Sequence, residues 1–570
     1  MATSGKKQKH PKYIFVVGGV MSGVGKGVAA SSIGTILQAR GLTVTALKID
    51  PYINIDAGTM NPTEHGEVFV LNDGDETDQD MGNYERFLNM SFTSDNYMTT
   101  GRVYKTVIEK ERNLEYGGRN VEVIPDIPNE VIRRIENATE KANADVTIIE
   151  IGGTLGEYQN LIFLEAARIL KYRCPGDVLV VLVSYLPVPG HIGEMKTKPT
   201  QYASSTLNNA GLQANIIIAR GKVPLDQKRK EKIATFCNIH PDHVISAPDV
   251  SSIYDVPLNF EKDNLGDIIC SSLNMGNLCK QSDLSAWKKF VTKSKKPTKT
   301  VSIAVVGKYF SSGEFVLSDV YLSILEALKF SGYDNGVKVS IDYLSAMAFE
   351  KDTKLVSSLK KYDGILIPGG FGKRGVEGKI RVIEYARKNK IPYFGICYGM
   401  QLMVIEYARH IAGLKQANTR EIEPHAQHCV IDIMDDQKSL VAGSNYGGTM
   451  RLGQYDLLLH GKTVAHGIYA DYFKKRDKVD KKIKDNIITK ERHRHRYEVS
   501  SEYIETLQKS GLVFSGRSPD GRLMEIAELP VSQHPFFVGV QFHPEFLARP
   551  LDPHPLFSAF IKASLQRNKK

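Results

Sequence analysis

The chain has 570 residues, 42% of them apolar, and a formal net charge of +10. Single hydrophobic cores stop growing near roughly 250 to 300 residues, so this length predicts two domains. Six cysteines are too few for a disulfide scaffold, and the polar, basic amino terminus has no apolar signal segment. No apolar run approaches the roughly 20 residues of a membrane helix, so we expect a cytoplasmic protein without a membrane partner.

The positive charge raises the alternative of a nucleic-acid-binding protein, because basic surfaces release counterions from phosphates. The basic residues instead form clusters such as 474–485, without the interleaved aromatic side chains on which bases stack. We therefore expect no nucleic-acid partner. A positive charge also suits an enzyme that binds several triphosphates.

Strand and helix patterns alternate in the N-terminal half. Residues 13–19 predict a strand ending in glycines, residues 26–41 a helix closed by Gly41, and residues 43–50 a second strand. This order implies a parallel sheet. Further strands are predicted at 145–153, 177–186 and 214–221.

A stretch rich in Lys, Ser and Thr, residues 280–300, carries the only Trp and predicts a linker. A second alternation of strands and helices follows it. The predicted fold class is therefore α/β, with two domains, 1–279 and 301–570, that are each built on a mainly parallel sheet.

Residues 18–27, GGVMSGVGKG, lie between a predicted strand and a predicted helix. A glycine-rich turn at a helix N-terminus can wrap phosphates with its backbone N–H groups, and Lys26 could reach the outer phosphates. Compared with the strict P-loop, Val20 replaces the first glycine and Gly27 replaces the hydroxyl residue. The alternative is a glycine-rich turn with a chance lysine.

Without that hydroxyl, carboxylates must hold Mg²⁺, which prefers oxygen ligands. Asp80 and Glu150, the latter at a predicted strand end, are the candidates. Either acid alone could instead be solvated or cap a helix.

Cys397 is framed by glycines in GICYG, the pattern of a nucleophile elbow. Such a turn predicts an exposed thiol, activated by the N-terminus of the following helix. His543 is a candidate base, with Glu545 placed to orient its imidazole. Backbone N–H groups of residues 368–372 could form an oxyanion hole. A packed core cysteine is the alternative.

The ordered series PGGFG, GICYGMQ and QFHPEF resembles the class I glutamine amidotransferases, which release ammonia from glutamine through a thioester. Together with GGVMSGVGKG, ETDQDMGNYERF, EMKTKPTQ, GGTMRLG and RHRHRYEV, it resembles the CTP synthase family over nearly the whole chain. The resemblance implies a deviant P-loop synthetase domain at 1–279 and a glutamine amidotransferase domain at 301–570.

The resemblance also implies the reaction. ATP phosphorylates the 4-oxygen of UTP, and ammonia from glutamine displaces the phosphate to give CTP, the last step of de novo CTP synthesis. It implies Mg²⁺, GTP as an allosteric activator and CTP as a feedback inhibitor. It further implies a homotetramer that can polymerise into filaments.

Site residues follow from the same resemblance. Those for ATP are Gly23, Val24, Gly25, Lys26, Gly27, Val28, Lys48, Asp80, Asp249 and Val250. Those for UTP or CTP are Ser22, Glu157, Tyr158, Gln159, Lys196, Thr197, Lys198, Pro199, Thr200, Gln201 and Lys232. Those for glutamine are Gly370, Tyr398, Gly399, Met400, Gln401, Glu421 and Arg496. His65 is placed near the coupling of the two halves, although His65 and the run 492–496 could otherwise be solvated basic residues.

One segment departs from the family, which usually has G-D-I-E-S where residues 156–160 are GEYQN. Glu157 keeps an acid and Gln159 loses one, so we predict altered CTP inhibition with catalysis retained. Two other classes remain open. A partitioning ATPase would need no cysteine elbow, and a peptidase or glutamyl hydrolase would need no phosphate loop.

Overall fold

The computed structural model describes residues 10–190, 194–308, 311–312, 315–316, 318–434, 450–476, 481–483 and 485–569. Residues 447–449 of the GGTMRLG motif lie outside the described residues. By its internal contacts the chain divides into two compact units, 1–56 with 83–291 and 57–82 with 292–570. The proposed division at 1–279 and 301–570 stays a prediction.

The first unit is built on a seven-stranded sheet. Its strands are β1 Lys12–Gly18, β2 Val44–Asp50, β5 Tyr97–Thr99, β6 Val146–Ile151, β7 Val178–Tyr185, β8 Ile216–Gly221 and β9 Val244–Pro248. The order is β5-β2-β6-β1-β7-β8-β9, and every neighbouring pair is parallel. The parallel sheet predicted from the alternating pattern is confirmed, and its strands all end at one edge.

Helices cover this sheet and bury its apolar side chains. They are α1 Lys26–Ala39, α3 Asp80–Leu88, α4 Thr100–Arg112, α5 Val123–Lys141, α6 Leu161–Arg173, α7 Lys198–Asn209, α8 Gln227–Cys237, α9 Val256–Phe260, α10 Leu265–Ser272 and α11 Ser285–Lys295. Gly41 follows α1 with a φ of +82°, the left-handed conformation that ends a helix.

The predicted linker, residues 280–300, contains the whole of helix α11. Trp287 is buried in the first unit, where its indole N–H donates to the Tyr254 carbonyl at 2.8 Å. Phe87 and Phe290 complete an aromatic cluster around it. The start of this stretch is therefore packed, because Trp287 removes its large apolar surface from water.

A disulfide joins Cys270 in α10 to Cys279 in the loop that follows. The sequence pattern did not single out this pair, because the spacing matches neither a metal site nor a redox motif.

The second unit is built on a ten-stranded sheet with three small sheets beside it. Its strands are β3 Phe69–Val70, β4 Glu76–Thr77, β10 Lys299–Gly307, β11 Ser311–Ser312, β12 Phe315–Val316, β13 Val337–Ser345, β14 Gly364–Ile367, β15 Tyr393–Ile396, β16 Ala417–Thr419, β17 His428–Ile433, β18 Arg451–Leu459, β19 Lys481–Ile483, β20 Asn486–His495, β21 Tyr497–Val499, β22 Val513–Arg517, β23 Met524–Glu528 and β24 Phe537–Val540.

The large sheet runs β13-β10-β14-β15-β24-β23-β22-β18-β20-β19. Its first five strands are parallel, and the others extend the sheet in antiparallel fashion. The α/β class is confirmed, whereas the antiparallel extension was not predicted. The helices are α2 Pro62–His65, α12 Leu322–Asp334, α13 Ala346–Lys351, α14 Val376–Lys388, α15 Tyr398–His410, α16 Val464–Lys475, α17 Ile504–Lys509 and α18 Pro555–Asn568.

Each helix in the described part of the chain is too short or too polar to cross a bilayer.

Candidate active sites

Cys397 lies in a sharp turn between β15 and α15. Its φ of +50° and ψ of −101° are strained for a residue with a side chain. A Cβ at Gly399 would collide with the Ile367 carbonyl oxygen, and one at Gly395 would lie 2.7 Å from the Gly399 carbonyl carbon. The two framing glycines are therefore needed for the backbone to make this turn.

The expectation that Cys397 is exposed is wrong, because the residue is only 4% accessible. Its Sγ lies 3.7 Å from Gln541 Nε2 and 3.7 Å from the Arg494 carbonyl oxygen. Residues that follow the elbow by 97 and 144 positions thus cover the thiol. Local sequence around the elbow contains no information about such neighbours.

A cavity of about 190 Å³ reaches Cys397. Its lining includes Gly369, Gly370, Phe371, Cys397, Arg494, His543 and Glu545. The same cavity is lined by Gly58, Met60, Glu67 and Val68, which belong to the second unit although they lie early in the chain. The thiol is buried, but it borders a space of the size of a small metabolite.

His543 and Glu545 form a buried pair in which imidazole Nδ1 and carboxylate Oε1 are 2.7 Å apart. Burial alone would lower the pKa of His543, but Glu545 and Cys397 raise it to about 10. A Cβ placed on Gly369 would lie 3.0 Å from His543 Cε1 and 3.8 Å from Cys397 Cβ. The imidazole and the thiol therefore border the same glycine, in the arrangement expected of a base and its nucleophile.

The loop 368–372 is held at Gly372. The Gly372 N–H donates to Glu421 Oε1 at 2.6 Å, and its carbonyl accepts from Lys308 Nζ at 3.1 Å and from the Tyr398 hydroxyl at 3.2 Å. Burial raises the pKa of Glu421, against the opposing effects of the Gly372 N–H and Lys308. Because Glu421 accepts from the Gly372 N–H, this N–H group is engaged, and the oxyanion hole at the earlier N–H groups of the loop stays a prediction.

The other predicted glutamine residues lie close by. Gln401 donates to the Tyr497 carbonyl at 2.9 Å and to Gln541 Oε1 at 3.3 Å, which links it to the side chain beside Cys397. Gly399 and Met400 are buried in the first turn of α15, and Arg496 is 8% accessible between β20 and β21. Their contacts with glutamine stay a prediction.

In the run 492–496 four residues are buried and Arg494 is half-buried, so the alternative of solvated basic residues is wrong. Successive side chains of a strand point to opposite faces. On one face of β20, Arg492 Nε donates to Asn72 Oδ1 at 2.8 Å and Arg494 Nε to Glu76 Oε1 at 2.8 Å. These contacts join residues 57–82 to the rest of the second unit.

On the other face, His493 Nδ1 and His495 Nε2 lie 3.0 Å apart. Burial, and then the charge of Arg451, holds the pKa of both imidazoles well below the usual value. Arg451 itself pairs with Glu525 at 2.7 Å. His65, by contrast, is exposed on α2, and its proposed coupling role stays a prediction.

The predicted phosphate loop lies between β1 and α1 of the first unit. Gly23 and Gly25 have φ values of +70° and +82°. Lys26 Nζ donates to the Gly153 carbonyl at 2.7 Å, and a Cβ on Gly18 would lie 2.9 Å from that nitrogen. The lysine thus folds back over a glycine of β1, at the C-terminal end of the strand.

Lys48 and Glu150 are cross-strand neighbours at the same end of the sheet. Lys48 Nζ lies 3.6 Å from Glu150 Oε1 and 3.4 Å from Asp50 Oδ1, and all three side chains are buried. The Tyr84 hydroxyl donates to Glu150 Oε2 at 2.5 Å. The sheet end therefore carries a buried lysine held between two carboxylates.

Asp249 follows β9 and accepts from Arg220 Nη2 at 2.8 Å, while Val250 is half-buried. Arg220 was missed by the sequence reasoning. A Cβ on Gly25 would lie 2.8 Å from Arg220 Nη1, which places the guanidinium beside the phosphate loop. A basic residue at the end of a predicted strand was the available signal.

The predicted pyrimidine-nucleotide residues fall in two groups. Glu157 accepts from the Thr154 N–H at 3.0 Å and from Gln159 Nε2 at 2.6 Å. Burial would raise the pKa of Glu157, but these hydrogen bonds and nearby Lys26 lower it. Ser22 is exposed, and Tyr158 is 90% exposed.

The second group lies at the start of α7. Lys196 Nζ donates to Glu194 Oε2 at 2.7 Å, and Lys196 and then Lys232 lower the pKa of Glu194. Thr200 is buried against the Ser184 hydroxyl at 2.9 Å. Thr197 occupies the N-cap position without a side-chain capping hydrogen bond, and its hydroxyl accepts from Gln201 Nε2 at 3.0 Å. Lys198 and Pro199 lie in the first turn of the helix.

Asp80 begins α3, and its N–H donates to Asp78 Oδ1 at 2.9 Å. Asp80 belongs to the second unit and Glu150 to the first. Among the described residues no group of three His, Cys, Asp or Glu side chains is arranged to hold a metal ion. The pair Asp80 and Glu150 stays a prediction.

Both units match known families. Residues 12–275 match the family model described as CTP synthase N-terminus, and residues 316–563 match glutamine amidotransferase class-I. The chain is 49% identical to a CTP synthase of Carboxydothermus hydrogenoformans over 98% of its own length and 99% of the relative's. The chain belongs to the CTP synthase family. It is accordingly a glutamine-hydrolysing ligase that forms a C–N bond in pyrimidine biosynthesis.

Two further proteins are similar to this chain. A CTP synthase of Caldanaerobacter subterraneus subsp. tengcongensis is 47% identical over 97% of this chain and 98% of its own. The solved glutaminase domain of Trypanosoma brucei CTPS with bound acivicin is 35% identical, with a TM-score of 0.40 over 47% of this chain and 94% of that one.

Proposed function

We propose that this member of the family makes ammonia at Cys397 and uses it to aminate UTP that ATP has phosphorylated on the 4-oxygen. The observation that supports the first half most directly is the cavity lined by Cys397 and by the hydrogen-bonded pair of His543 and Glu545. The proposal for the second half rests on the phosphate loop and on the lysines that surround it.

In the glutaminase half, Cys397 Sγ attacks the amide carbon of glutamine. His543 passes a proton to the departing nitrogen, which leaves as ammonia, and water then hydrolyses the thioester to glutamate. Glu545 holds the imidazole through Nδ1. Glu421 and Tyr398 act by fixing Gly372 and hence the loop that lines the cavity.

In the synthetase half, Lys26 and Lys48 stabilise negative charge on the phosphoryl group that moves from ATP to UTP. Lys196 and Lys232, which both act on Glu194, would bind the triphosphate of the pyrimidine nucleotide. Ammonia attacks C4 of the activated ring, the C–O bond to the phosphate breaks, and CTP and phosphate leave.

Glu150 fits a magnesium ligand, because it is a buried carboxylate at the strand ends beside Lys48. We propose Glu150 and Asp80 as the residues that hold Mg²⁺, which when bound neutralises phosphate charge. The proposal also includes GTP activation, CTP feedback inhibition, a homotetramer able to form filaments, and cytoplasmic localisation. All of these rest on the family resemblance.

Each alternative accounts for only half of the molecule. A partitioning ATPase leaves the buried His543–Glu545 pair beside Cys397 unexplained. A peptidase or glutamyl hydrolase leaves the loop from Gly18 to Lys26 and the buried Lys48 unexplained.

The proposal is tested by following the absorbance change of UTP conversion with ATP and Mg²⁺, with glutamine in one series and an ammonium salt in the other. We expect CTP in both series and none when ATP is omitted. Glutamate without CTP would leave only the glutaminase half standing, and CTP from ammonium alone would leave only the synthetase half.

A further inference from the structure

Helix α14 carries a lysine that the mechanism above does not use. Lys379 is completely buried, and its Nζ makes no hydrogen bond to any residue that the structure describes. The nitrogen lies 5.3 Å from the ring centroid of Tyr398, the residue that follows the nucleophile. A buried amine without a hydrogen bond is costly, so its retention beside the elbow requires a reason.

A second lysine approaches the same ring. Lys308 Nζ lies 5.4 Å from the Tyr398 centroid and also contacts the Gly372 carbonyl. The charged groups that act on Lys379 are Lys308, which disfavours its protonation, and Cys397, which favours it. Burial and then Lys308 lower the pKa of Lys379 to about 7.

Other charged groups on and around α14 have their own partners. Glu406 of α15 pairs with Arg387 at 2.6 Å, and Glu377 pairs with Arg409 at 3.0 Å. Glu350 of α13 accepts from the Glu377 N–H at 3.0 Å. Cys397 is the negatively charged group that acts on Lys379.

We propose that Lys379 is a positioning residue that stabilises the Cys397 thiolate from its buried site beside the ring of Tyr398, the next residue along the chain. This inference rests on the proposed role of Cys397 as the nucleophile. Lys379 forms no bond with glutamine. Its ammonium offsets the negative charge on Sγ before attack, in surroundings where water cannot screen it. The ring face of Tyr398 is itself attractive to a cation, which makes the buried ammonium less costly.

The test measures how fast iodoacetamide alkylates Cys397 as a function of pH, with the labelled peptide identified by mass spectrometry. In Lys379→Met, we expect the pH of half-maximal alkylation to rise by on the order of one unit. The glutamine-dependent rate near neutral pH should fall by about the same tenfold factor, while the ammonium-dependent rate is retained.

Three further variants support the reading of this result. Lys388→Met removes a lysine that is 61% exposed on the same helix, and it should leave the alkylation profile unchanged. Lys379→Gln serves if the methionine variant does not fold. Lys379→Arg keeps the charge and should retain a profile close to that of the parent.

An alkylation profile that is the same in the parent and in a folded Lys379→Met would overturn the inference and show that the lysine only fills space. The proposed function fails in a different way. If the parent keeps full glutamine-dependent activity after Cys397 is alkylated, then Cys397 is not the nucleophile.

Discussion

The two candidate sites differ in the hydrogen-bond and ion-pair partners of their charged groups. In the glutaminase site, His543 and Glu545 contact each other and border Cys397 in one buried cavity. In the nucleotide site, Lys26 donates to a backbone carbonyl and Lys48 lies between two carboxylates. A covalent mechanism needs its groups preset within hydrogen-bonding reach. A triphosphate site instead needs cations held by contacts that a ligand can replace.

This difference predicts that removing the nucleophile abolishes the glutamine-dependent reaction without abolishing the ammonium-dependent one. Cys397→Ala should reduce the glutamine-dependent rate by on the order of 10⁴-fold or more, because no other group can form the thioester. Synthesis from ammonium should persist and should increase as pH rises, since more of the nitrogen is then NH₃. Both rates are measured by UTP conversion.

Cys429→Ala, which removes another buried thiol of the second unit, is the matched control and should retain both activities. Loss of the ammonium reaction in a folded Cys397→Ala would contradict two independent sites.

A lysine of the phosphate loop should affect both nitrogen sources. Lys26→Ala should slow CTP formation from glutamine and from ammonium by about 100- to 1000-fold, because both depend on the same phosphorylated UTP. Glutamine hydrolysis, followed as glutamate release, should persist. Near-normal CTP formation would remove Lys26 from the mechanism.

The pair of His543 and Glu545 should make the free energy of unfolding depend on pH. The folded-state pKa of His543 is raised to about 10, so its contribution to stability is complete below the unfolded value of about 6.5 and is lost as pH rises through 10. Glu545→Gln should therefore reduce the free energy of unfolding most at or below about pH 6.5, progressively less as pH rises towards 10, and least above that value. Glutamine-dependent activity should fall about 100-fold.

Urea unfolding at a series of pH values measures the first effect. A stability difference that does not change with pH would mean that Glu545 does not set the charge of His543.

A substitution at Arg492, which contacts the segment 57–82, tests whether the glutaminase scaffold depends on residues from early in the chain. Arg492→Met removes donors to the half-buried Asn72 side chain and to the buried Val70 carbonyl, both within the second unit. Leaving buried acceptors without donors should lower the free energy of unfolding by about 3 kcal/mol. Arg522→Met, at a site 82% exposed, should change it by less than about 0.5 kcal/mol.

The smallest effect is expected at the segment 156–160. Gln159 donates a hydrogen bond to Glu157, whereas a carboxylate at position 159 would repel the Glu157 carboxylate. Gln159→Glu should shift the CTP concentration for half-inhibition by about fivefold, equivalent to roughly 1 kcal/mol. Inhibition curves normalised to each protein's own uninhibited rate measure this shift. Superimposable curves would show that Gln159 does not influence feedback.

Local sequence patterns predicted the features that depend on residues close together along the chain. The strand, glycine turn and helix around Lys26, the parallel sheet and the elbow geometry at Cys397 all follow from hydrophobic period and from glycine's freedom to adopt unusual φ values. Short motifs can specify the turn and the elbow because their contacts lie within a few residues along the chain, whereas the parallel sheet is predicted by the alternating order of strands and helices.

Other features depend on contacts between residues that are far apart in sequence. One such feature is the burial of Cys397 by Gln541 and Arg494. Others are the packing of residues 57–82 in the second unit and the location of Lys379 beside the Tyr398 ring. The run 492–496 is uniformly basic in sequence, yet β20 places Arg492 and Arg494 on one face and His493 and His495 on the other, where both histidines are buried. Only tertiary packing decides such environments, because burial and charge depend on every element that contacts a side chain.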